Sequence, residues 1–256
     1  MIASIFDTHA HYDDEAFDAD RDEVLRTLPD KGVRYVIDCG CSERSCRSAL
    51  ALAQEYSYVY AACGIHPEDC EAFGDPDSLE QRLDAFWRHP KCVAIGEIGL
   101  DYHYDIDKAT QLAFFEKQLQ LSLRYDLPVI VHDREAHGDT IDLLRKYKPR
   151  GVLHCFSGSA EMAKEAVRMG LYIGFGGAVT FKNARKPLEA VAAIPTDRLL
   201  LETDCPYMAP VPYRGKRCDS SMIPLAAEKI AALHGVSTEE LLRITEENAR
   251  TLFALR

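Results

Sequence analysis

The chain has 256 residues, of which 47% are hydrophobic and 28% charged, with a formal net charge of −11. This composition excludes disorder, and no run approaches the ~20 apolar residues that cross a bilayer. The acidic balance also excludes a protein that coats nucleic acid by neutralising many phosphates, though not an enzyme that grips nucleic acid locally.

The opening MIASIFDTHAH lacks the basic and apolar regions of an export signal, so a soluble, unexported, cytoplasmic protein is expected. Nine scattered cysteines, odd in number, read as reduced thiols. Cys39 and Cys41 form a C-x-C with no second pair at zinc-ribbon spacing and read as buried thiols near a strand end.

SIFDTH is the first strand-like run. DADRDEVLRTLPDKG follows as a helix with Val24, Leu25 and Leu28 on one face, ending at Gly32. VRYVIDC, YVYAACG and CVAIGEI are the next three strands. TQLAFFEKQLQLSLRYD reads as a helix burying Leu112, Phe115, Leu119 and Leu123. PVIVHD and GVLHCF are strands five and six, then SAEMAKEAVRMG is a helix closing on Gly170. LYIGFGG and LLLETD complete eight strands. STEELLRITEENARTLFAL opens with a capping box, Ser237 and Glu240, and runs on through Leu241, Ile244 and Leu252.

Eight buried-looking strands alternating with helices predict an α/β protein with a parallel sheet. At this length the expected architecture is a (β/α)8 TIM barrel, one domain over residues 1–256. No glycine-rich phosphate loop follows the first strand, which disfavours an open dinucleotide-binding sheet.

The reactive residues sit at strand ends. Strand one ends in His9 and His11, strand four in Glu97, strand five in His132, strand six in His154, and strand eight in Glu202 and Asp204. In a barrel these ends converge on the face that carries the active site. Residues i and i+2 of a strand share a face, so His9 and His11 point together and Asp7 lies beneath them. A lone strand-end histidine is more often a hydrogen-bonded structural residue than a ligand. Four of them beside carboxylates need a common partner, and bound metal supplies one. Six such ligands exceed one tetrahedral zinc, so two ions bridged by Glu97 are expected.

Taken together, FDTHAH, GIHP (64–67), GEIGLDY (96–102), PVIVHDRE (128–135), HCFSG (154–158) and LLLETDCPYMAPVPYRGKR (199–217) resemble the TatD family of metal-dependent deoxyribonucleases. The resemblance implies that His9, His11 and Asp204 hold one divalent ion, that His132 and His154 hold a second, and that Glu97 bridges them. It also implies that Asp204 orients or deprotonates the attacking water, with Glu97 and Asp204 as the catalytic pair. The ligands leave Zn, Mn, Mg and Fe undistinguished, with Mg least suited to so much nitrogen.

Around this set, His66 reads as a phosphate contact or as a histidine fixing the turn before Pro67. Arg134 reads as a phosphate contact or a partner for a nearby carboxylate. Tyr207 and Arg214 read as substrate contacts, whereas Lys216 and Arg217 read as solvated. Asp7 and Glu202 are expected to support ligands from behind, and Asp101 and Tyr102 to shape the rim. The chain departs from many relatives at Cys218-Asp219-Ser220, where they carry Asn-Glu-Pro, a change that bears on the order of the loop.

The function implied is hydrolysis of phosphodiester bonds at the ends of single-stranded DNA, with nucleic acid as substrate, no membrane and no obligate protein partner, consistent with a monomer. The alternatives are ester or amide hydrolysis on the same site, such as removal of a D-amino acid from tRNA, and a non-catalytic metal-binding protein.

Overall fold

A computed structural model describes residues 4–255. Residues 1–3, on which the export-signal expectation partly rests, lie outside the described residues. The strands are β1 (Ile5–Ala10), β2 (Val33–Gly40), β3 (Val59–Cys63), β4 (Cys92–Asp101), β5 (Val129–Arg134), β6 (Gly151–Leu153), β7 (Tyr172–Phe175) and β8 (Leu199–Leu201). They pair in parallel in the order β1 to β8, each with its sequence neighbour. All eight expected strands are present, with helices between them. The ring closes just past the strand ends, where Ala10 bridges Cys205. Asp204 N donates to His9 O at 2.9 Å and His11 N to Cys205 O at 2.8 Å. The seam therefore runs through residues that flank the candidate ligands.

One buried side chain from each strand forms an inner layer: Phe6, Ile37, Ala62, Ala94, Ile130, Val152, Tyr172 and Leu200. The last helix, Thr238–Leu252, adds Ala249 and Leu252 to this layer, and Phe253, which follows it, joins them. Asn248 Nδ2 donates to Thr196 O and Leu199 O, at the start of β8, at 2.8 and 2.9 Å. This helix thus seals the N-terminal end of the barrel and leaves the opposite end for the site. Its expected N-cap is present, with Ser237 Oγ accepting from Glu240 N at 3.1 Å.

The helix Lys108–Tyr125 departs from its predicted face. Phe115 and Leu119 are buried as expected, but Leu123 is 51% exposed. Gln111 and Gln118 are fully buried instead. Gln118 takes Ile65 N on Oε1 (2.8 Å) and gives Nε2 to Ile65 O (3.0 Å). Gln111 takes Asp101 N and gives to Asp101 O, both at 2.8 Å. Buried amides are tolerated when every group is paired, and here each clamps a peptide beside the site.

Candidate metal centre

Strand parity delivers most of the site. Two residues above Ile130, Val152 and Leu200 of the inner layer stand His132, His154 and Glu202, as alternation requires. β1 and β4 break the rule. Register shifts fall between Asp7 and Ala10 and between Ile95 and Ile98. Irregularities of this kind re-aim side chains beside active sites, and these two strands deliver His9 and Glu97.

His9 Nε2 and His11 Nε2 lie 3.0 Å apart. Glu97 Oε2 is 3.4 Å from the first and 3.6 Å from the second. Asp204 Oδ1 is 3.6 and 3.4 Å from the same two atoms. Metal–ligand distances of about 2.0–2.2 Å place tetrahedral donors about 3.3–3.6 Å apart. The four histidine–carboxylate distances fall in that range, and the two imidazole nitrogens stand slightly closer at 3.0 Å, so the residues fit a divalent ion. The other oxygen of Glu97 faces a second group. Oε1 is 2.7 Å from His154 Nε2, 2.9 Å from His132 Nδ1 and 3.6 Å from His66 Nε2.

Outer hydrogen bonds fix which nitrogen offers a lone pair. His11 Nδ1 lies 2.8 Å from Cys39 O, so it carries the proton and Nε2 is free. His132 Nε2 lies 3.0 Å from Asp101 Oδ2, which frees Nδ1 toward Glu97. His66 is the reverse case. Its Nδ1 accepts from Glu68 N at 3.2 Å, so the neutral ring carries its proton on Nε2, aimed at Glu97. His66 therefore fixes its turn and aims a hydrogen-bond donor at Glu97.

Burial and the cluster's own charges set the protonation. Burial lowers His9 to about 4, aided by the neighbouring His154, and lowers His66 to about 3. Burial opposes the charged form of His132 too, but hydrogen bonds to Asp101 and Glu97 outweigh it and raise the ring to about 10, so with no ion bound Nδ1 holds a proton toward Glu97 that a cation would replace. Burial pushes Glu97 up, yet the surrounding histidines, His154 foremost and His132 through its hydrogen bond, hold it well below the usual carboxylate range. Asp204 is lowered likewise, with burial outweighed by its hydrogen bond to His11 and by His9 and His154. Both carboxylates are thus held ionised for a cation.

Several surrounding residues fall elsewhere than the sequence reading places them. Asp101 is not at the rim: it is 1% exposed and holds His132. Asp7 is buried, but its carboxylate meets no ligand side chain. It accepts from His9 N, from Thr203 N and Oγ1, and from Ser220 Oγ. The shift in β1 removes it from the face it would share with His9. Glu202 and Asp204 serve different halves because β8 ends at Leu201 and Asp204 has φ 61°. Glu202 Oε1 accepts from Cys155 N and lies 3.8 Å from His154 Nδ1.

Arg134 is exposed and reaches only to 4.0 Å from Asp101. Tyr207 is 56% exposed and donates to Asp14 Oδ2 at 2.8 Å. Arg214 stacks on Phe181, 4.3 Å from the ring centre. Arg217 is tied to Asp20 at 2.7 and 2.6 Å. Cys39 is buried as expected, but Cys41 is only partly so, and its Sγ is 3.6 Å from Glu97 Oε2 at the edge of the centre. The departure at 218–220 is anchored: Asp219 caps the turn Ser220–Met222, and buried Ser220 reaches Asp7 and Tyr12.

The residues 6–254 match the family model described as TatD related DNase. The chain belongs to the TatD family. It is 43% identical to the metal-dependent hydrolase YabD of Bacillus subtilis, over 98% of this chain and 99% of that one. It is 36% identical to the 3'-5' ssDNA/RNA exonuclease TatD of Edwardsiella piscicida, over 93% and 95% of the two chains. Among solved structures, the TatD homologue YjjV of Escherichia coli superposes with a TM-score of 0.89, at 32% identity and with all of both chains covered. This TatD-family protein is accordingly a metal-dependent hydrolase on a TIM barrel. No helix among its described residues is long and apolar enough to cross a membrane.

Proposed function

We propose that the protein cleaves phosphodiester bonds at the ends of single-stranded nucleic acid, single-stranded DNA foremost, with two divalent ions held by His9, His11, Glu97, His132, His154 and Asp204. The observation that carries this reading is the division of Glu97, whose two oxygens face two separate donor groups. Relatives that bear the name of a 3'-5' ssDNA/RNA exonuclease support the substrate class.

Divalent ions held by these residues would supply Lewis acidity for phosphoryl oxygens and for the attacking water. The chain supplies the rest. Asp204 Oδ1 faces His9 and His11, while its other oxygen, without a hydrogen bond among the described residues, accepts the proton of the attacking water. His66 donates from Nε2 to a phosphate oxygen. Arg134, exposed beside Asp101, neutralises a further phosphate.

The test is a timed digest of end-labelled single- and double-stranded DNA and RNA across a panel of divalent metals, with Glu97→Ala as the control. Stepwise shortening of single strands by the native protein and none by the variant is expected. Intact single strands with metal demonstrably bound would overturn the reading.

A further inference from the structure

Beside the metal centre, the loops that follow β7 and β8 build a second feature. Val211 N donates to Thr180 Oγ1 at 2.8 Å, joining the two loops, and Cys218 N closes the second loop on Pro206 O at 2.9 Å. Between them opens a hollow of about 500 Å³, lined by Phe181, Pro206, Tyr207, Met208 and Arg214 among others. It begins two residues beyond Asp204, and Tyr207 is bonded to Asp14, whose N–H in turn bonds His11 O. The hollow is therefore attached to both strand ends that carry the first donor group.

The floor is apolar, and an exposed aromatic ring, Tyr207, stands at its edge. The guanidinium carbon of Arg214 stands 4.3 Å from the centre of the Phe181 ring. Arg214 and Lys216 are exposed and form no ion pair among the described residues, in a chain of net charge −11. Unpaired cations next to a flat apolar surface match a ligand that is anionic at one end and aromatic at the other.

We propose that this hollow is a nucleobase subsite: it takes the base of the nucleotide whose phosphate lies at the metal centre, stacking it on the Arg214 guanidinium that Phe181 backs, while the guanidinium edge serves the adjoining phosphate. The proposal rests on the phosphodiester reading above and extends it from the bond cleaved to the part of the substrate recognised. Stacking accepts any base face, so the subsite supplies grip without sequence preference. The volume lies within the range of small-ligand sites.

The test measures binding, separately from the digest. Thymidine 5′-monophosphate and inorganic phosphate are titrated calorimetrically into the zinc-loaded protein, its Phe181→Ala variant and its Phe181→Tyr variant. Phe181 is only partly buried, so neither change threatens the barrel. The native protein is expected to bind the nucleotide more tightly than phosphate. Phe181→Ala should weaken the nucleotide roughly tenfold, the scale of one lost stacking contact, without a matching change for phosphate, and Phe181→Tyr should restore it. A nucleotide held no more tightly than phosphate, or one whose affinity ignores Phe181→Ala, overturns the subsite and leaves the cleavage reading to the digest.

Discussion

Asp101 Oδ2 sits 3.0 Å from His132 Nε2 and so turns the other nitrogen of that ring toward Glu97. Losing such an outer carboxylate typically costs about 10–100-fold in metal affinity or activity. Asp101→Asn leaves one oxygen for two donors, His103 N and His132 Nε2, and turns an NH2 toward one of them. Zinc titration of the stripped variant should show one of the two proposed ions weakened by that factor. The ion at His9, His11 and Asp204 should bind as in the native protein. Equal weakening of both would remove Asp101 from this specific role.

Gln118 ties the peptide of Ile65, the residue before His66, to the helix Lys108–Tyr125. Gln118→Leu keeps the volume but strands a buried N–H and a buried C=O, each worth roughly 1–3 kcal/mol. Urea denaturation should report a loss of that size. Leu123→Gln, at a position 51% exposed, should stay within about 0.5 kcal/mol of the native value.

That pair of substitutions marks where the sequence was legible and where it was not. Aliphatic runs and their polar ends disclosed all eight strands, and the strand ends disclosed the histidines and carboxylates that the structure gathers. Hydrophobic periodicity chose Leu123 over Gln118 because it counts side chains, and the partner of Gln118 is a peptide 53 residues away. The strand-like run CVAIGEI stops at Ile98 and leaves Asp101 for the rim, whereas β4 runs to Asp101 and carries it inward. Asp7 was misplaced because a bulge leaves no trace in the alternation of FDTHAH. Local pattern is visible in one segment alone; a register shift is set by the neighbouring strand.

Glu202 supplies a pH test. Burial raises its carboxyl from 4.5 to about 8, and its Oε2 has no partner. Between those values the folded metal-free protein holds a proton that the unfolded chain has released, so stability falls as pH rises from about 4.5 to about 8. The slope approaches about 1.4 kcal/mol per pH unit inside that window. Glu202→Gln cannot ionise and keeps an oxygen for Cys155 N. Urea unfolding of the stripped proteins at pH 5 and pH 8 should therefore show the native chain losing more stability than the variant. Parallel losses would mean that Glu202 is already charged at pH 5.

Gly99 carries the last expectation. Its φ is 147°, and a Cβ there would stand 2.0 Å from His132 O, so both conformation and space exclude a side chain. The obstructing atom is backbone, which cannot rotate aside, and it belongs to a candidate ligand. Gly99→Ala should cost at least about 3 kcal/mol in urea unfolding and displace His132, lowering zinc affinity in the same variant. Gly138→Ala is the counterpart. Nothing lies within 4 Å of a Cβ at that position in the helix His137–Tyr147. There alanine should raise stability by about 0.5–1 kcal/mol through helix propensity and leave zinc binding unchanged. If both glycines tolerate alanine equally, β4 and β5 are not held together as closely as the Gly99–His132 contact requires.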